Sequence, residues 1–395
     1  MKNFVWSKDY ENYIIINVND IQNLRTYTGF KKWEGIFMKN IKKLVALAVT
    51  TVMVTALVGC GGNDTAKDNT SSNGSNATDT EKDTAEKTLK VGVCLYKFDD
   101  TYISTVRQNL EKLAKESDGK VEFTFYDGKG DQATQNDSID TLIQKGVDLL
   151  LVNLVDTGAG QTVVDKIKDA DIPVVLFNRE PSEDVIKSYD KAVFIGTNAI
   201  EAGVMQGKIL SDVWNNDSSA IDKNGDGKMQ YVMLQGEPDN PEAVARTKYS
   251  VSTINDNGIE TEELALQVCN WDQALAQNAM EAWFAKDGEK IEVVIANNDG
   301  MAQGAIAALQ AQGYNNGDES KFIPVVGVDA TAAAQDLISK GYMTGSVLQD
   351  AEGMAKALYE CGLNLAEGKT AIDGTSYEFD DTGVAVRIPY QEFVK

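Results

Sequence analysis

From Leu89 onward the sequence predicts an α/β protein of two lobes, with parallel sheets covered by helices. Three observations predict it. Short apolar runs alternate with helical patterns, the signature of βα units. The stretch is about three hundred residues, too long for one comfortable core, so two lobes are expected. Polar residues recur just past the apolar runs, and ligands of open α/β sheets bind beyond the carboxyl ends of the strands.

Val91-Gly92-Val93-Cys94-Leu95-Tyr96 reads as a buried strand, after which Ile103, Val106, Leu110, Leu113 and Ala114 fall on one helical face. Further strands are expected at 121–126, 148–154, 174–177, 192–195, 230–234, 293–296, 325–328 and 346–348. Helices such as 135–145 and 273–285 lie between them.

Upstream, Met38-Lys39-Asn40-Ile41-Lys42-Lys43 is a basic segment, 44–58 is apolar and broken only by Thr, and Leu57-Val58-Gly59-Cys60 ends it. The apolar stretch is too short to cross a bilayer comfortably, so 38–59 is expected to be a signal peptide. Small residues before a Cys resemble the lipobox of bacterial lipoproteins. Cys60 is then the lipidated first residue of an exported chain, anchored to the outer face of the cytoplasmic membrane, or on the periplasmic side where an outer membrane exists. A signal peptide should begin a protein, so residues 1–37 are expected to be an untranslated upstream extension. Trp33-Glu34-Gly35 can be encoded with GGAGG just before the Met38 codon, which is ribosome-binding-site spacing. Residues 61–88 hold almost no large apolar residue and are expected to be a flexible tether.

Residues 1–59 carry eight Lys/Arg and four Asp/Glu, so removing them takes the net charge from −23 to −27. Such acidity argues against nucleic acid and against electrostatic docking on anionic lipid. Cys94, Cys269 and Cys361 form an odd set without paired spacing and are expected to be buried free thiols.

Asp222-Lys223-Asn224-Gly225-Asp226-Gly227-Lys228-Met229-Gln230 carries the densest local signal. Asp222, Asn224 and Asp226 at loop positions one, three and five, Gly227 at six and Gln230 at nine match the front of an EF-hand loop. Position twelve, where a bidentate Glu belongs, is Met233 in an apolar strand-like run, so a carboxylate must come from elsewhere. Calcium is expected here, with the Lys228 carbonyl as a further oxygen; a solvated Asp/Gly turn is the bland alternative. Absence of His and scattered Cys argue against transition metals.

The strand-end residues are Asp99-Asp100, Asn178-Arg179, 237–242, 297–299, Asp329 and Gln349-Asp350, with Tyr102 and Trp271 in similar loops. Taken singly, Asp and Asn there are ordinary helix caps. Jointly they suit a pyranose, whose hydroxyl rim takes carboxylates and amides and whose C–H faces take aromatic rings.

Tyr96-Lys97-Phe98-Asp99-Asp100, Asn153-Leu154-Val155-Asp156, Phe177-Asn178-Arg179-Glu180-Pro181-Ser182, Gly236-Glu237-Pro238, Ala245-Arg246-Thr247, the run 291–299 and Gly327-Val328-Asp329-Ala330 resemble the glucose/galactose-binding proteins of ABC sugar importers. The resemblance covers 89–389. It implies a type I periplasmic-binding-protein fold with a ligand cleft between lobes, a monomer that closes on a hexose and offers it to a membrane permease. It implies sugar contacts at Asp100, Asn178, Arg246, Asn298 and Asp329, with Trp271 on one face of the ring and Tyr102 on the other, and makes Glu292 the missing calcium ligand. The lobes would comprise 89–196 with 350–381, and 197–349 with 382–395, crossing near Gly196-Thr197, Gln349-Asp350 and 380–383. The sequence departs from the family at Asn240 (usually His), Glu242 (usually Asp), Gln349 (usually Asn) and Tyr102 (usually Phe).

Three other functions compete. A glycosidase could recruit Asp100, Asp329 and Glu242 as its carboxylates, but a tethered lipoprotein with contacts spread over many strand ends favours binding without catalysis. A sugar-responsive transcription regulator would carry a basic helix-turn-helix where this chain has a signal peptide and an acidic tether. A receptor that reports sugar to a chemotaxis transducer has the same binding signature as a transport receptor.

Overall fold

The computed structural model describes residues 88–395 and the backbone of two short strands, Phe4–Val5 and Ile16–Asn17, which pair antiparallel. Those strands belong to one unit, Met1–Glu81, and everything that follows to a second, Lys82–Lys395. The expected signal peptide, Cys60 and the tether as far as residue 87 lie outside the described residues.

The first lobe begins with β1 (Leu89–Leu95), α1 (Thr101–Glu116), β2 (Val121–Asp127), α2 (Gln132–Gln144), β3 (Leu149–Val152), α3 (Gly160–Asp169), β4 (Val174–Phe177), α4 (Glu183–Lys187) and β5 (Ala192–Gly196). Its strands run parallel in the order β2-β1-β3-β4-β5. Successive side chains face opposite sides of the sheet, so each strand feeds two cores. Val91, Val93, Leu151 and Phe177 meet Ile103, Val106 and Leu110 of α1, while Cys94, Leu150, Val152 and Leu176 meet Leu142 of α2 and Val163 and Ile167 of α3.

The second lobe repeats the plan with α5 (Ala199–Asn216), β6 (Lys228–Gln235), α6 (Pro241–Asp256), β7 (Glu260–Val268), α7 (Gln273–Asp287), β8 (Val293–Ala296), α8 (Asp299–Ala311), β9 (Val325–Asp329), α9 (Ala332–Ser339) and β10 (Gly345–Gln349). The parallel order is β7-β6-β8-β9-β10. Val232, Leu234, Val294 and Val325 pack with Met280 of α7 and with Met301 and Leu309 of α8. The alternate residues Tyr231, Met233, Ile295 and Val326 pack with Leu210 of α5 and Ile254 of α6.

The chain then returns. α10 (Ala351–Ala366) places Met354, Leu358 and Cys361 in the core beneath α1. β11 (Ala385–Arg387) joins β5 in parallel, and β12 (Tyr390–Val394) pairs antiparallel with β10. Cys94, Cys269 and Cys361 are buried and free, and burial pushes the Cys94 and Cys361 thiols up to about 12.

Three crossings therefore join the lobes: Thr197-Asn198 after β5, Asp350 after β10, and Ile388-Pro389 between β11 and β12. The third corrects the sequence expectation, which took the chain out of the first lobe at 380–383 and gave 382–395 to the second. Those residues form a tight turn, with Gly383 at φ 76 and its N–H donated to the Asp380 carbonyl at 2.9 Å. The turn sends Ala385–Arg387 back against Phe194–Gly196 of the first sheet, and only residues from Tyr390 pair in the second.

Candidate functional site

Strand ends from both lobes face one cavity, lined by Tyr96, Asp100, Tyr102, Ile103, Asn178 and Arg179 of the first lobe and Asn240, Glu242, Arg246, Trp271, Asn298, Asp329 and Gln349 of the second. Every residue named from the sequence as a candidate sugar contact lies on it. Tyr96, Ile103 and Arg179 were missed, although Arg179 directly follows Asn178 at the end of β4 and was visible as a strand-end residue.

The cap reading and the site reading both hold, because the same geometry produces them. Asp100 Oδ1 accepts from Ile103 N (2.8 Å) at the start of α1, Asn240 Oδ1 from Glu242 N (2.9 Å) at α6, and Asn298 Oδ1 from Met301 N (2.9 Å) at α8. A cap at the head of a helix that follows a parallel strand stands at the carboxyl edge of the sheet. Behind these residues, buried Asn153 and Asn297 tie the loops together. Asn153 bonds Tyr96 N, the Phe177 carbonyl and Asn178 Oδ1. Asn297 Oδ1 accepts from Gly236 N and Thr247 Oγ1.

Three lining residues hold left-handed backbone: Asn178 (φ 60), Trp271 (φ 65) and Asp329 (φ 116). Asn tolerates this well, but for Trp and for Asp at so large a φ it is a cost that surrounding structure must impose, and such costs concentrate at functional sites. Gly236 makes room for the Trp271 ring: a Cβ there would lie 2.4 Å from it.

Several buried polar atoms around the cavity lack a partner among the described residues, including Trp271 Nε1, Arg246 Nε, Arg179 Nε and Asp329 Oδ2. Tyr102 Oη and Gln349 Nε2 are likewise buried without a partner among the described residues. Buried polar groups are ordinarily satisfied, so a mixed set of donors and acceptors facing one cavity suits a small ligand rich in hydroxyls.

Both Nη atoms of Arg246 donate to protein acceptors. Nη1 donates to the Asn297 carbonyl (2.8 Å), and Nη2 to Glu242 Oε2 (2.8 Å), Gln349 Oε1 (3.0 Å) and Tyr390 Oη (2.8 Å). Across the cleft Arg179 forms an ion pair with Glu237 of the second lobe while its guanidinium lies 4.4 Å from the Tyr96 ring centroid. Tyr96 Oη in turn donates to Asp100 Oδ2 at 2.5 Å.

Asp299 and Asp329 form a buried acidic pair below this layer. Burial raises the Asp299 carboxyl from 3.8 to about 7, although Ser346 Oγ (2.6 Å) and Thr331 N (2.7 Å) donate to it. Burial, then the neighbouring Asp299, raise Asp329 as well. An acid with a raised folded-state pKa binds more protons folded than unfolded, so its contribution to stability is full below pH 3.8 and is lost as pH rises toward about 7. Thermal melts of the unliganded protein are therefore expected to fall across that window and to flatten in Asp299→Asn, whose amide can still accept from Thr331 N and donate to Ser346. An unchanged slope in the variant would remove Asp299 as the source.

The acidic loop before β6 is a separate cluster. Asp222 accepts from the N–H groups of Gly225, Asp226 and Gly227, Asn224 Oδ1 accepts from Asp226 N, and Asp226 accepts from Lys228 N and Gln230 Nε2. Glu292, 1% exposed, reaches it from the head of β8 and accepts from Lys223 N (2.6 Å) and Gln230 N (2.9 Å). Burial, with Asp222 and Asp226 nearby, pushes the Glu292 carboxyl up. Gln230 Oε1 is buried without a partner. Among the described residues no three His, Cys, Asp or Glu side chains converge as a preformed metal cluster, because the loop's own amides hold its carboxylates. The donor set is nonetheless all oxygen, and the orphaned Gln230 oxygen and the massed negative charge fit a hard cation.

Residues 91–370 match the family described as periplasmic binding protein domain. The chain is 42% identical over 302 residues, covering 76% of it and 88% of its relative, to the D-galactose/methyl-galactoside binding periplasmic protein MglB of Haemophilus influenzae. It is 24% identical to the ribose import binding protein RbsB of Bacillus subtilis, covering 72% of this chain and 84% of that one. A solved ABC transporter solute binding protein from Bacillus halodurans with bound myo-inositol is 26% identical and superimposes with a TM-score of 0.64 over 79% of this chain and 96% of its own. With a family match over most of its length and two lobes of parallel sheet enclosing a polar cleft, the chain belongs to the periplasmic binding proteins, which bind solutes and are not enzymes.

Proposed function

We propose that this chain is the extracytoplasmic receptor of an ABC sugar importer, that its ligand is a galactose- or glucose-type hexose, and that it acts as a lipid-anchored monomer. The observation that carries the reading is an interlobe cavity whose lining combines two aromatic residues, Trp271 and Tyr102, with carboxylates, amides and Arg246. In this reading Asp100 and Asp329 accept from sugar hydroxyls, Asn178, Asn298 and Arg246 donate to them, and the aromatic rings cover the C–H faces. Charge-assisted bonds of roughly 1.5–3 kcal/mol each make micromolar affinity attainable with a few of them. The 42% identity to a galactose/methyl-galactoside binding protein supports the hexose.

Asn240, Glu242 and Gln349 set the choice of epimer in this reading. Glu242 turns its carboxylate onto Arg246 and Thr197, which leaves Asn240 to face the ligand with a shorter donor than His would offer. Calorimetry across galactose, glucose, methyl-β-galactoside, ribose, xylose and arabinose tests the assignment: a hexose is expected to bind without turnover. Tight binding of a pentose with none of a hexose would overturn it. The anchor is tested by lipid labelling of the exported protein, which Cys60→Ala should abolish; labelling that persists would refute it.

Calcium belongs to the same proposal as a structural ion held by Asp222, Asn224, Asp226, the Lys228 carbonyl, Gln230 and Glu292. When bound it would neutralise the loop's charge and join the loop to the head of β8. A ligand that binds only the folded state stabilises by RT ln(1 + [L]/Kd), about 2.7 kcal/mol at a hundredfold excess over Kd. Chelation is therefore expected to lower the melting temperature and Glu292→Gln to remove most of the difference. Identical melts with calcium and with chelator would end this part of the proposal.

A further inference from the structure

We propose that Tyr390 and Thr197, neither of which lines the cavity, are positioning residues that couple the ligand-facing edge of Arg246 to the crossings between the lobes. The inference rests on the sugar-binding reading, but its test compares variants with wild type, so failure of that reading would show in wild type and failure of this one only in the variants.

Three facts combine. Each crossing contributes one side chain to a single buried network: Thr197 follows β5 at the first, Gln349 ends β10 at the second, and Tyr390 opens β12 at the third. All three converge on the Glu242–Arg246 pair. Thr197 Oγ1 donates to Glu242 Oε1 (3.0 Å) and lies 2.9 Å from Tyr390 Oη; Tyr390 Oη accepts from Arg246 Nη2 (2.8 Å) and lies 3.2 Å from Glu242 Oε2; Gln349 Oε1 accepts from Arg246 Nη2 at 3.0 Å. These groups are almost wholly excluded from water, with Tyr390 4%, Thr197 2% and Gln349 2% exposed.

The consequence follows from donor counting. Arg246 has five N–H donors in a rigid plane. The two N–H groups of Nη2 are shared among three acceptors of the network, Nη1 donates to the Asn297 carbonyl, and Nε of this cavity-lining residue has no partner among the described residues. The direction in which Nε points is therefore set by the atoms that hold the other edge of the plane; two of them, Gln349 Oε1 and Tyr390 Oη, sit beside crossings, and Thr197 acts on a third, Glu242. Arg387 reinforces the coupling from outside the network: its Nη1 donates to the Thr197 carbonyl (3.0 Å), holding the first crossing against the third. A ligand that engages Nε favours the arrangement of the crossings in which the network closes, and by linkage that arrangement favours the ligand.

The test uses Tyr390→Phe, Thr197→Val, their combination and Thr197→Ser, each titrated with the hexose that wild type binds and each melted without ligand. Tyr390→Phe and Thr197→Val are each expected to weaken binding about tenfold, the cost of one hydrogen bond in a buried network. The double variant should lose little more than either single one, because both act through the same guanidinium. Thr197→Ser keeps the hydroxyl and should bind as wild type. Small-angle scattering should show a smaller sugar-induced contraction in the double variant than in wild type at saturating ligand. Variants that melt earlier but bind with unchanged Kd would reduce both residues to plain structural bonds and overturn the inference. Losses that multiply in the double variant would do so too, since they would mean independent action.

Discussion

Arg246→Met is expected to abolish detectable sugar binding and to cost about 3–5 kcal/mol of stability, the range for breaking a buried ion pair from one side. The side chain is 3% exposed, and methionine replaces its length and apolar stem without its donors. Glu242 would keep only the Thr197 and Tyr390 hydroxyls as partners, the Asn297 carbonyl would lose its donor, and the buried acids Asp299 and Asp329 would lose the cation that favours their ionised forms. Glu242→Gln is the contrasting variant. Its amide oxygen can still accept from Arg246, so its cost should be well under that of Arg246→Met. Denaturant unfolding checks both, and a loss below about 1 kcal/mol for Arg246→Met would show that the network carries little of the fold's stability.

Trp271→Ala should weaken binding about thirty- to a hundredfold, roughly 2–3 kcal/mol, with little effect on folding. The indole stands at the cavity wall with its N–H unpartnered and the Arg246 guanidinium 5.8 Å from its ring centroid. In the proposed reading its loss removes apolar cover from a sugar face and admits water beside the remaining polar contacts. Gly236→Ala provides an independent check without touching the indole chemically. A Cβ 2.4 Å from the ring must displace it, so this small substitution is expected to impair binding as well. Unchanged affinity in both variants would show that the ring does not stack on the ligand.

Much of this was readable in the chain. The strands β1, β4, β8 and β9 are short runs of apolar residues buried on both faces, where local pattern and final environment agree. β7 escaped notice for the opposite reason. Glu260, Glu262 and Glu263 make it an acidic edge strand with most of its length exposed, so it carries no run of buried apolar residues to read. β11 is three residues long and exists through its pairing with β5, which no local signal announces. Resemblance identified most of the residues around the cavity as contacts, but not Tyr96, Ile103 or Arg179, the last of which pairs with Glu237 of the opposite lobe.

By itself the sequence determined the α/β class, the two-lobed division and the strand-end positions from which Asp100, Asn178, Asn298 and Asp329 reach a common site. These follow from period, length and the parallel sheet rule, all of which are local or additive. Only the tertiary structure decided where the third crossing lies and that Arg179 pairs with Glu237 across the cleft. It alone decided that Tyr390, 144 residues from Arg246, closes a network around it. Those facts are pairings between segments far apart in the chain, and a hydrogen bond or ion pair of that kind leaves no periodicity in either segment that makes it.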